Sequence, residues 1–423
     1  MSFANYYLER KKFKVQISFH PNEKLNIIVV IPCFNEPDLI LSLESLWKCI
    51  RPDSAVEVIV VINSSIDSPP EVHRQNLHTY KATRSWVGTH QDKDFKFYLI
   101  SQPDLPAKYA GAGLARKIGM DEAVDRFNKL NNDKGVIVSL DADTIVDSNF
   151  FTEIEKQFKK YPETNACSIY YEHPTEGNEF SPVIYKGIIL YELFLRYFVY
   201  ALRISHFPYA YHTIGSCFVV KALTYVKQGG MNKKKAGEDF YFLQKIIPLG
   251  NFFEINTTKV VPSPRPSNRV PFGTGPMIQK FINNNEKDIS VYNFQAFLDL
   301  KEFLIRIDHL FKSDKQKYEG FIIHLPESIR YFLINNDFYN KLSEINQNCS
   351  TYQTFRKRFY YWFNAFKILK YLNFSHEDFY SKVSIIKSAN ELLRYKKFEK
   401  YISNDAGKLL EVYRKVIYPP PQQ

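Results

Sequence analysis

The sequence predicts an α/β fold, a mostly parallel sheet with flanking helices, followed by an all-α domain. Two observations carry this. In the first third of the chain, short β-branched runs alternate with helical patterns, as in successive βαβ units. Beyond Phe281 glycine nearly disappears, and apolar residues recur at helical spacing: Phe294, Phe297, Leu300 and Leu304, then Phe355, Phe359, Phe363 and Phe366.

In order, the strands read Ile27–Ile31, Val56–Ile62, Phe95–Ile100 and Val136–Leu140. Pro37 precedes a helix at Leu39–Cys49, and Ala112–Leu130 repeats apolar residues at Leu114, Ile118 and Val124. A helix at Phe150–Lys160, a strand at Ala166–Tyr171 and a long amphipathic helix at Val183–Arg203 follow. Ile214–Val220 reads as a strand, Gly229-Gly230 as a break, and a helix opens near Glu238. Residues 262–276 hold five prolines and read as a loop. The tail Pro419-Pro420-Pro421-Gln422-Gln423 reads as extended and mobile. The boundaries are an extension over 1–24, an α/β domain over 25–276 and a helical domain over 277–423.

Composition narrows the class. The 423 residues are 45% hydrophobic, too apolar for a disordered chain. Five scattered cysteines argue against a disulfide framework and fit a reducing compartment. The N-terminus runs into Glu9-Arg10-Lys11-Lys12 with no apolar core of a secretion signal. Neither greasy stretch spans a bilayer: Val183–Leu202 carries Lys186, Glu192 and Arg196, and Ile204–Val220 is broken by Pro208 and Gly215. The expectation is a cytoplasmic protein, with the inner face of the membrane as a peripheral docking place. The net charge of +11 fits a polyanion, an anionic membrane or merely a lysine-rich surface.

Four segments carry chemistry. Ile31-Pro32-Cys33-Phe34-Asn35-Glu36 ends the first strand. Gly111-Ala112-Gly113-Leu114-Ala115-Arg116-Lys117-Ile118-Gly119 opens a helix, where free N–H groups favour anions and Arg116 is placed to reach a phosphate or ribose. Asp141-Ala142-Asp143 follows an apolar strand. Strand alternation turns both carboxylates the same way, a hard oxygen pair suited to a divalent cation on phosphates. Glu238-Asp239 opens another helix, whose dipole stabilises the Asp239 carboxylate as a base toward a hydroxyl. Taken singly, each has a bland counterpart: a surface Asp-x-Asp, a tight turn, a capping acid. No phosphate-loop Lys-Ser or Lys-Thr pair follows the glycines.

Together, over roughly residues 25–260, these segments resemble the family 2 glycosyltransferases, inverting enzymes of the GT-A fold, in their non-processive bacterial form without membrane spans. The resemblance implies that 25–145 is a nucleotide-binding half and 146–276 an acceptor half. It implies Pro32, Glu36, Asn63, Gly111, Arg116 and Asp141 at the nucleotide-sugar. Asp143 and Asp141 would hold Mg²⁺ or Mn²⁺, and Asp239, with Glu238 beside it, would be the acceptor-activating base. Two positions depart from the family pattern: Asn63 replaces a base-reading aspartate, and Lys117 replaces an asparagine. The Gln-x-x-Arg-Trp segment of processive synthases is missing. Arg265 and Arg269 stand in its place, in a loop that reads equally as a linker or as contacts to diphosphate or acceptor. His212, next to the Ile214 strand, reads more readily as a core histidine than as an acceptor or metal contact.

The implied partners are a nucleoside-diphosphate sugar and an acceptor of unspecified identity, anionic or lipid-linked. Two rival readings stay open. One is a sugar nucleotidyltransferase, which calls for a glycine-rich loop near the first strand. The other is a non-catalytic basic module on anionic membrane or nucleic acid, motivated by the 183–203 helix and Lys233-Lys234-Lys235.

Overall fold

The computed structural model describes residues 2–234, 237–267, 269, 273–284 and 288–417. The tail 419–423 and Lys235 of the lysine run lie outside the described residues. The chain forms two compact units, one of residues 2–185 and 213–279, the other of 186–212 and 280–417.

The first unit holds strands β1 (Leu25–Cys33), β2 (Ala55–Ser65), β3 (Phe95–Leu105), β4 (Val136–Ser139), β5 (Thr144–Val146), β6 (Ala166–Tyr171), β7 (Phe218–Lys221) and β8 (Phe252–Pro262). They form one sheet in the order β3-β2-β1-β4-β7-β6-β8-β5. The first four are parallel, and β7 runs antiparallel to both β4 and β6. β1 and β2 are buried almost throughout, so their apolar runs are continuous rather than alternating. Pro32 sits in β1 two residues past the last β1–β4 pair, Val30 with Ser139, where its missing N–H costs no ladder bond.

Helices α1 (Asn5–Arg10), α2 (Leu39–Trp47), α3 (Pro70–Val87), α4 (Ala112–Lys129) and α5 (Phe150–Lys160) alternate with these strands. Helix α3 escaped the sequence reading because its 18 residues are mostly polar and only Val72, Asn76, Thr79 and Thr83 are buried. The extension is not loose. Tyr7 of α1 donates to Asp121 Oδ1 of α4 (2.7 Å), Tyr225 donates to the same oxygen (2.8 Å), and Lys117 pairs with Asp121 Oδ2 (2.5 Å). The Lys117 departure therefore serves a buried anchor for the N-terminal helix.

Helices α6 (Pro182–Ile204), α7 (Ala222–Lys227), α8 (Glu238–Ile246) and α9 (Thr274–Asn283) follow. Three expectations change here. The strand read over Ile214–Val220 begins only at Phe218, because 214–217 forms a turn closed by Cys217 N–H to Ile214 O (3.0 Å). Helix α9 opens inside the stretch read as loop. The 183–203 helix is present, but from residue 186 onward it belongs to the second unit, and there only Lys186 is exposed. It is a core helix, which removes it as a membrane-docking face.

In the second unit α6 packs among the C-terminal helices. Tyr197 donates to Tyr292 O (2.9 Å), and Arg414 grips both oxygens of the buried Glu192 at 2.7 Å. Phe303 meets Phe321, Phe338, Phe359 and Phe363 with ring centroids 6.2, 5.6, 5.8 and 5.3 Å away, all edge-on. Such pairs add about 0.5–1.5 kcal/mol each beyond burial, so the aromatic excess is core packing. Among the described residues no helix is long and apolar enough to cross a membrane.

Candidate active site

The polar motifs gather beyond the carboxyl ends of β1, β2 and β4, where parallel sheets bind ligands. Asp141 and Asp143 lie in a turn, not on the strand: β4 stops at Ser139, and Thr144 N–H closes back on Asp141 O (3.3 Å). The strand alternation that would align the two carboxylates is therefore lost, and each is held by different arginines.

The first cluster centres on Arg116, 4% exposed. Its Nε donates to Glu238 Oε1 (3.0 Å), and its Nη1 to Ser139 Oγ (2.5 Å) and Gly215 O (2.7 Å). Its Nη2 pairs with Asp141. These N–H groups are committed to protein, and through them Arg116 positions Asp141 and Glu238. Two glycines permit the approach. A Cβ at Gly113 would stand 2.1 Å from Lys234 O and 3.0 Å from Glu238 Cβ. One at Gly215 would stand 2.6 Å from Arg116 Nη2 and 3.1 Å from Asp239 Oδ2. Gly111 caps α4 with φ 149°, and Gly237 caps α8 with φ 67°, backbone that favours glycine.

Asp239 stands beside this cluster. Its Oδ1 accepts the Phe240 N–H (2.7 Å). Burial, then the Glu238 charge, push its carboxyl up to about 7, against the pull of Arg116 and the Phe240 N–H. A carboxyl near neutrality is suited to taking a proton.

The second cluster joins Glu36, Asp38 and Asp143 to Arg265 and Arg269. Arg265 Nη1 donates to Glu36 Oε1 (3.0 Å), and Arg269 Nη1 to Glu36 Oε2 (3.1 Å) and Phe34 O (2.9 Å). Burial alone raises Glu36, but Arg265 and then the Asp38 N–H and Arg269 outweigh it, so its carboxyl lies below the usual range. Burial, with Asp141 and Glu36, lifts Asp143 to about 6.

Asn63, two residues before the end of β2, is buried, with Nδ2 on Cys33 O (2.9 Å) and its own backbone carbonyl accepting from Asn76 Nδ2 (2.8 Å). Asn76 Oδ1 in turn accepts the Asn35 N–H (2.8 Å), so the asparagines tie the ends of β1 and β2 to α3. His212 lies in the helical unit, where burial, then Arg196 and Arg203, hold it well below the usual imidazole range. Ser139, Gly215 and Asn76 were not singled out as site residues from the sequence. Of these only Gly215 left a signal, a lone glycine in an apolar run, which marks close backbone approach.

Among the described residues no three His, Cys, Asp or Glu side chains are grouped to cage a metal ion. Asp143 is nonetheless 27% exposed, and its arginine contacts are long, 3.5 and 3.9 Å. One or two carboxylates plus substrate phosphates is how Mg²⁺ is usually bound, and Asp143 with Asp141 fits that donor set.

Residues 28–221, from β1 to β7, match the model of the family described as "Glycosyl transferase family 2". Glu238, Asp239, Arg265 and Arg269 lie beyond the matched stretch. No curated protein matches the chain significantly. Distantly similar solved structures include TarS 1–349 of S. aureus in complex with UDP-GlcNAc, at 13% identity over 92% of each chain and a TM-score of 0.37. Another is the mannosyltransferase PcManGT of Pyrobaculum calidifontis in complex with GDP-Man and Mn²⁺, at 14% identity over 97% of this chain and 92% of that one, TM-score 0.37.

Proposed function

We propose that this glycosyltransferase moves a sugar from a nucleoside-diphosphate donor to an acceptor hydroxyl with inversion, Asp239 acting as general base. The observation that carries the proposal is the meeting of Asp141, Arg116, Glu238 and Asp239 around Gly215. Asp239 Oδ1 is committed to the Phe240 N–H, which leaves Oδ2 to take the proton. The acceptor oxygen attacks the anomeric carbon as the bond to the diphosphate oxygen breaks. The hydroxyl proton goes to Asp239 and the electron pair leaves with the diphosphate. A single displacement inverts the centre, so one base suffices where a retaining hydrolase needs a nucleophile as well.

Arg116 holds Asp141 and Glu238 in place, so the reacting groups meet at little further cost in order. Asp143, with Asp141 beside it, would hold Mg²⁺ or Mn²⁺ together with diphosphate oxygens. Such an ion, when bound, neutralises charge on the departing diphosphate. Arg265 and Arg269 supply further positive charge to that group, while the buried Asn63 ties the ends of β1 and β2 behind it.

The test is a donor panel: release of each nucleoside diphosphate, with and without Mn²⁺, by wild type and Asp143→Asn. Turnover on at least one donor, lost in the variant, is expected; silence on every donor under every metal contradicts the proposal.

A further inference from the structure

Glu36 is 1% exposed, too enclosed to touch a nucleotide directly. Both of its oxygens are taken. Oε1 accepts from Arg265 Nη1 and from the Asp38 N–H, each at 3.0 Å, and Oε2 from Arg265 Nη2 and Arg269 Nη1. Arg269 is fixed further by Ser267 Oγ on its Nε (2.9 Å) and Phe34 O on its Nη1 (2.9 Å). On each guanidinium the Nη2 faces Asp143 Oδ2, at 3.5 Å from Arg265 and 3.9 Å from Arg269, the loosest contacts of the set. With Phe34, Asn35, Pro266 and Ser267, the two arginines line an open pocket of about 480 Å³.

We propose that Glu36 is the buried anchor of a two-arginine clamp for a pyrophosphate group, parked against Asp143 until that group arrives. The proposal rests on the donor-site reading above and deepens it. Two guanidinium groups side by side repel unless a carboxylate lies between them, and Glu36 is that carboxylate. Its bidentate hold on Arg265 sets the fork of one arginine, while Ser267 and Phe34 set the other. Trading the long Asp143 contacts for phosphate oxygens loses little and gains the planar fit that guanidinium makes with phosphate. Glu36 is thus a positioning residue, acting through Arg265 and Arg269.

Inorganic pyrophosphate titrated calorimetrically into the full chain in EDTA isolates the clamp from nucleoside, sugar and cation. Wild type is expected to bind. Glu36→Gln is expected to bind about tenfold more weakly or worse, as fits the loss of a charge-assisted grip. Glu36→Asp is expected to restore part of the affinity, and Arg265→Ala with Arg269→Ala to abolish it. Thermal melting establishes that each variant is folded. Should Glu36→Gln unfold, Arg269→Lys keeps the charge without the fork and is expected to weaken binding by a similar factor. The proposal is overturned by no binding in wild type, or by unchanged affinity in a folded Glu36→Gln or Arg269→Lys. Because no transfer is measured, an error in the role of Asp239 would leave this titration intact.

Discussion

Arg116 Nε donates to Glu238 Oε1 at 3.0 Å, and this bond ties the helix behind the glycine motif to the helix that carries Asp239. Residues 122 positions apart in sequence are thereby fixed in one cluster. The same guanidinium reaches Ser139, Gly215 O and Asp141, so it registers the end of β4 against both helices.

Gly215 is where that cluster has no spare room. Gly215→Ala would put a Cβ 2.6 Å from Arg116 Nη2 and 3.1 Å from Asp239 Oδ2, closer than side chains settle. The expected result is a fall in kcat of about 10- to 100-fold, the scale of a displaced catalytic group, with a smaller loss of Tm. Steady-state kinetics and a melting curve on the same preparation check it; wild-type kcat would remove Gly215 from the site.

The raised carboxyl of Asp239 has consequences for rate and for stability. As a base it must be deprotonated, so kcat/KM is expected to rise with pH and level off above about 7. Stability runs the other way. Between its ordinary value of 3.8 and about 7 the folded chain keeps a proton that the unfolded chain gives up, so the group's stabilising contribution is complete at low pH and lost as pH climbs through about 7. Asp239→Asn does not titrate. Its Tm is expected to gain on wild type from about pH 4 upward, with the full gap open by pH 8. A gap that stays constant over that range would contradict the shifted carboxyl.

Much of this was legible before the fold was seen, for identifiable reasons. Strands such as Val56–Ile62 announce themselves because burial on both faces demands unbroken apolar runs. Asp141, Asp143, Glu238 and Asp239 could be placed because strand ends and helix starts are local features. What could not be read were the partnerships: that Arg116 spends its donors on protein, or that Asp141 and Asp143 answer to different arginines. Those depend on contacts between residues 23 to 122 positions apart, carried by different elements. Helix α3 was missed because its buried face is largely Thr and Asn rather than aliphatic, and the 183–203 helix reads only as amphipathic because its charged residues, Lys186 exposed but Glu192 and Arg196 buried, do not tell which faces are covered.

Lys117 and the N-terminal helix form a separate test of the scaffold. Tyr7→Phe removes a donor to the buried Asp121 while Tyr225 and Lys117 remain on it. A cost of about 1.5–3 kcal/mol, the usual range for a hydrogen bond to a charged group, is expected with kcat preserved. Denaturant unfolding reads the first and a turnover assay the second; unaltered stability would show that α1 is not anchored through Asp121.

The central claim is that Asp239 accepts the acceptor proton. The most direct measurement takes a donor that turns over and compares wild type with Asp239→Asn in donor affinity by calorimetry and in transfer rate. Donor affinity within about threefold and transfer reduced by about 10²–10⁴-fold, the range for a lost general base, are predicted. Transfer near the wild-type rate in the folded variant would contradict the account.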